Sequence, residues 1–126
     1  MIHVSGLVRS FGGIRAVNSL DFSIRPGEIF GIVGPDGAGK STLLRMMAAI
    51  LEPDEGTIEI DGINVHAHPL QIKERVAYMP QRFGLYEDLT VEENIYFFGR
   101  VYLLSSREIR KRMEGLYAFS RLEPFR

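Results

Sequence analysis

The stretch Gly34, Pro35, Asp36, Gly37, Ala38, Gly39, Lys40, Ser41 and Thr42 carries the densest chemistry in this 126-residue sequence. Glycines let a main chain wrap an anion without side-chain clash. Successive amides then form a concavity for negative charge, and a helix starting there turns its positive end to the same point. Lys40 would place a point charge between the terminal phosphates of a nucleoside triphosphate, and Ser41 would offer its hydroxyl to Mg2+. From Gly34 to Ser41 the spacing is G-x-x-x-x-G-K-[ST], the phosphate-loop motif.

Such a loop needs a strand before it and a helix after it. The run "EIFGIVG" is apolar without alternation and predicts a strand buried on both faces, centred on 29–33. Residues 40–50 are good helix formers, and Pro53, Asp54 and Gly56 close that helix. Upstream, Ile2, Val4, Leu7 and Val8 predict a first strand running to Phe11. After the Gly12-Gly13 turn, residues 16–25 alternate at Leu20, Phe22 and Ile24 and predict its partner strand, ended by Pro26-Gly27. Downstream, 56–65 reads as a hairpin turning at Asp61-Gly62, 71–75 as a short helix, 76–80 as a short buried strand and 81–87 as a loop. Two capping boxes, Thr90 with Glu93 and Ser105 with Glu108, start two further helices. The first carries Ile95, Phe98, Tyr102 and Leu103. The second places Ile109, Met113 and Leu116 on one face.

Composition narrows the partners. Fifteen basic residues against sixteen acidic ones leave a net charge of −1, so no basic surface for nucleic acid is expected. The absence of cysteine excludes disulfides and thiolate metal sites. The first ten residues lack the apolar core of a signal peptide, and no stretch approaches the ~20 apolar residues of a membrane span. A membrane role would therefore come through a partner. Residues 116–126 include Leu116, Tyr117, Phe119, Leu122 and Phe125, too apolar for an ordinary frayed terminus, which reads as a truncated sequence.

"VNSLDFSIRPGEIFGIVG", "GPDGAGKSTLLRMM", "LEPDEGTIEIDG" and "VAYMPQRFGLYEDLTVEEN" together resemble the nucleotide-binding subunit of ABC transporters, along essentially the whole chain. The branch that pairs with ABC-2-type export permeases is the most similar. The resemblance implies an α/β fold, the amino-terminal part of an ABC-type P-loop NTPase. This would comprise an antiparallel β subdomain and an incomplete parallel core sheet within 1–89, with the beginning of a helical subdomain in 90–126. It implies ATP and Mg2+ as cofactors, a transmembrane permease and a second nucleotide-binding domain as partners, and a place on the cytoplasmic face of the membrane. Phe11 matches the aromatic that stacks on adenine. Gly34 to Thr42 match the phosphate loop, with Ser41 a Mg2+ ligand. Gln81 matches the glutamine that reaches Mg2+ and the attacking water, and residues 85–94 match the region facing the permease.

Two departures stand out. Asp36 replaces the family's usual asparagine, and its carboxylate is expected to point away from the phosphates. The family's signature loop, catalytic glutamate and switch histidine match nothing in the sequence, so these residues alone are expected to bind nucleotide without turnover. The strands carrying the latter two groups would lie between 29–33 and 76–79, which are therefore not expected to pair with each other. The alternative enzymes are weaker. A GTPase would need N-K-x-D and a small kinase an arginine-rich lid, and neither is seen.

Other groups read more plainly. His66 and His68 are expected to be solvated loop histidines without a third metal ligand. Arg107, Arg110, Lys111 and Arg112, interrupted by Glu108, form a solvated helix face. Phe97, Phe98 and Tyr102 are expected to pack in a core.

Overall fold

The computed structural model of the chain describes residues 1–81, 84–122 and 124. Arg82 and Phe83 in the loop after Gln81, and Phe125 and Arg126 at the apolar end, lie outside them. The chain divides into two compact units, Met1–Met79 and Pro80–Arg126.

In the first unit, β1 (Ile2–Phe11) pairs with β2 (Ile14–Ile24) on one side and β3 (Glu55–Ile60) on the other. β3 in turn pairs with β4 (Ile63–Asn64). All pairings are antiparallel, in the order β2-β1-β3-β4. The β3–β4 turn is the expected one. Asp61 and Gly62 both take positive φ, 50° and 77°, which suits a two-residue hairpin turn. Val4, Leu7, Val17, Ile58 and Ile60 point to one core, closed by Leu43 and Met46 of α1 (Lys40–Met47) and by Ile72 of α2 (Pro69–Lys73).

The two segments assigned to the incomplete core sheet do not pair with each other, as expected. Residues 28–35 and 76–80 carry no strand pairing. A strand is defined by its ladder, and among the described residues no chain lies alongside either segment to supply one. Periodicity survives without the ladder. Phe30 stacks on Phe22 with ring centroids 5.2 Å apart, and Ile32 packs on the core, whereas Ile29 and Val33 are fully exposed rather than buried.

The second unit pairs α3 (Val91–Val101) with α4 (Ser106–Ser120). Both capping boxes are made. The Thr90 hydroxyl accepts from the Glu93 N–H and the Ser105 hydroxyl from that of Glu108, and each glutamate accepts in return from its cap residue's N–H. The buried face of α4 is Ile109, Met113 and Tyr117, so Leu116 is half exposed instead of buried. Tyr102 and Leu103, expected on α3, follow its end and are exposed, so Tyr102 does not pack in a core as expected. Phe97 and Phe98 pack on each other and on Tyr86.

Candidate functional site

The phosphate loop joins the extended segment after β2 to α1. Gly37 and Gly39 sit at φ 81° and 85°, a region that favours glycine. Gly39 is the residue before α1, and the Leu43 N–H closes the first turn on its carbonyl at 2.9 Å. A Cβ on Gly39 would collide with the Ala16 carbonyl of β2, so only glycine lets the loop lie this close to the sheet. No side chain caps α1, and no acidic residue stands in its first turn. The first-turn amides of a helix have no acceptor within it. The positive end of α1 is thus left for an outside anion.

Lys40 crosses the loop. Its Nζ donates to the carbonyl oxygens of Gly34 and Pro35, each at 2.6 Å. An ammonium has three hydrogens, so one remains for a phosphate oxygen. Ser41 and Asp36 are exposed, and Thr42 is half-buried. A cleft of about 200 Å³ beside the loop is lined by Ala16, Val17, Ile32, Ala38, Gly39 and Lys40, among others. Glycine cradle, bridging ammonium and uncapped helix end together fit a polyphosphate.

Phe11 ends β1 and is half exposed. It pairs with Ile14, and two residues further along β2 Ala16 backs onto Gly39. Two strand residues span roughly 7 Å. The hairpin therefore brings the Phe11 ring and the phosphate loop to the same end of the sheet.

Gln81 belongs to the second unit and is exposed. Residues 86–90 are organised by Asn94, which is buried on α3. The Asn94 Nδ2 donates to the carbonyls of Tyr86, Leu89 and Thr90 at 3.0 to 3.1 Å, and its Oδ1 accepts from the Tyr86 N–H at 2.9 Å. Sequence reasoning alone misses Asn94. The signal that could have found it is a lone amide on the apolar side of an amphipathic helix, next to Ile95. An apolar groove of about 1100 Å³ in this unit is lined by Leu85, Leu89, Ile95, Phe98 and Leu104, with Gln81 among its walls.

His66 departs from expectation. It is half-buried, its Nε2 has no hydrogen-bond partner, and burial holds its pKa below the ordinary histidine value. The Val65 side chain before it is buried in the core, which draws the turn inward. His68 is exposed. Among the described residues no group of three or more His, Cys, Asp or Glu side chains is placed to hold a metal, and no helix is long and apolar enough to cross a membrane.

The sequence model of the ABC transporter family matches residues 17–125. The Nod factor export ATP-binding protein I of Ralstonia nicotianae is 43% identical over 123 residues, covering 98% of this chain and 38% of that protein. The ABC transporter ATP-binding protein NatA of Bacillus subtilis is 41% identical over 104 residues, covering 82% of this chain and 42% of that protein. The solved dimeric, post-hydrolysis form of an ATP-binding cassette bound to ADP and phosphate superposes with a TM-score of 0.80 at 28% identity, covering 99% of this chain and 60% of that one. The chain thus spans about two fifths of the length of these curated relatives.

Proposed function

This chain belongs to the ABC transporter family, and we propose that it is the nucleotide-gripping part of an ATP-binding subunit that drives substrate export through a separate membrane permease. The observation that carries this reading is the uncapped start of α1 with Lys40 bridging the loop before it. A bound triphosphate would lie against the amides of the loop and first turn, with Lys40 on its terminal phosphates and Phe11 against its base. Ser41 would hold Mg2+, which, when bound, neutralises charge on the terminal phosphates. Export is favoured by the Nod factor relative.

The partners follow from the same reading. A second nucleotide-binding domain would close the site head to tail; that the related cassette is dimeric supports the pairing but not its arrangement. The permease would face residues 85–94, which Asn94 holds in one shape. The chain would then sit on the cytoplasmic face of the membrane, peripherally.

Calorimetric titration with MgATP tests the reading. A charge-assisted contact contributes ~2–3 kcal/mol, so Lys40→Ala is expected to weaken MgATP more than tenfold. Equal affinities for the two chains would overturn it.

A further inference from the structure

The end of β1 is fastened in an unusual way. The β1–β3 ladder stops at Val8↔Glu55, which leaves Arg9, Ser10 and Phe11 without strand partners on that side. Asp54, just before β3, takes over. Its N–H donates to the Val8 carbonyl at 2.8 Å, its Oδ2 accepts from the Ser10 N–H at 2.7 Å, and its Oδ1 accepts from Arg9 Nη1 at 2.7 Å. The Arg9 guanidinium in turn lies 4.9 Å from the centroid of the Phe11 ring. Its Nε is buried and has no hydrogen bond, so Asp54 and the ring are what orient it.

The pair is partly buried, with the Arg9 side chain 24% and the Asp54 side chain 38% exposed. It directs a planar cation onto an aromatic face, a favourable contact that fixes the ring's position. We propose that Arg9 and Asp54 are positioning residues that set the Phe11 ring as a platform for a nucleotide base, so that base-dependent affinity runs through this pair. The inference rests on the reading of Phe11 as the base contact. One face of the ring is taken by the guanidinium, and the base uses the other. A ring held in place loses less freedom when a base stacks on it than one that rotates freely.

The test separates base from phosphate by titrating the chain with ATP and with inorganic tripolyphosphate, which has no base. Phe11→Ala is expected to weaken ATP and leave tripolyphosphate unchanged. Arg9→Met and Asp54→Ala are expected to weaken ATP roughly threefold, again with tripolyphosphate unchanged, and Arg9→Met is expected to add nothing once Phe11 is alanine. Retained tripolyphosphate binding also certifies that each variant is folded. If Phe11→Ala lowers ATP affinity selectively but Arg9→Met and Asp54→Ala do not, the positioning role is overturned and the platform stands. If the pair's variants weaken both ligands in parallel, the pair supports the fold and not the ring, and the proposal again fails. If Phe11→Ala leaves the ATP-to-tripolyphosphate ratio unchanged, the base-contact reading itself is wrong, and this inference falls with it.

Discussion

Gly39 lies so close to Ala16 that a Cβ on the glycine would overlap the alanine's carbonyl oxygen. The obstacle is backbone, so it cannot be relieved by a side-chain rotation. Gly37 shares the left-handed conformation, at φ 81°, but a methyl group there would meet nothing within 4 Å. Gly37→Ala is therefore expected to cost about 1 kcal/mol, from conformation alone. Gly39→Ala is expected to cost more and to displace the start of α1, with a larger drop in melting temperature and a larger loss of MgATP affinity than Gly37→Ala. Thermal melts and nucleotide titrations of the two variants check the order.

The helical unit offers a contrast of the same kind. A Cβ at Gly99 would stand 2.6 Å from Cγ1 of Ile109, whereas one at Gly115 would meet nothing within 4 Å. Gly99→Ala is expected to destabilise the α3–α4 pair by about 1–3 kcal/mol through overpacking. Gly115→Ala, in the interior of α4, is expected to stabilise it by about 0.5–1 kcal/mol. Opposite signs in denaturant melts would support the α3–α4 packing described, and equal shifts would contradict it.

The capping boxes make stability acid-sensitive. Glu93 is held below the ordinary glutamate range chiefly by the Thr90 backbone N–H, and Glu108 chiefly by the Ser105 hydroxyl. With depressed folded-state pKa values, the folded chain binds fewer protons than the unfolded one. This stabilisation is complete above the unfolded-state value and is lost as pH falls through the folded values, hence below about pH 4.3. Glutamine keeps the hydrogen bonds without titrating. The double variant Glu93→Gln with Glu108→Gln is therefore expected to melt with a shallower acid decline than the parent. Thr90→Ala and Ser105→Ala are each expected to cost about 1 kcal/mol at neutral pH.

Local features were legible in the sequence, and those that need a distant partner were not. Both capping boxes, the Asp61-Gly62 turn and the β1–β2 pairing depend on residues near one another in the chain, and each is formed as read. The apolar run at 29–33 announced burial, but pattern alone does not supply a ladder, and Ile29 and Val33 stand exposed. Tyr117, and not Leu116, completes the buried face of α4 with Ile109 and Met113 although 109, 113, 116 is the narrower stripe, so packing and not spacing selects the residue that faces inward. At the candidate site the loop itself was legible as a motif. Its contact with Ala16, the Asp54 fastening of β1 and the burial of His66 all arise from tertiary approach, and no local pattern encodes them.

The central claim is that the backbone from Gly37 to Thr42, with Lys40 across it, receives the phosphates of ATP. Amide chemical-shift mapping of the 15N-labelled chain during MgATP titration tests this most directly. The account predicts saturable shifts largest at the amides of Gly37, Gly39, Lys40, Ser41 and Thr42, and their loss in Lys40→Ala. Saturable binding whose largest shifts fall elsewhere in the chain, with these five amides unmoved, would contradict it.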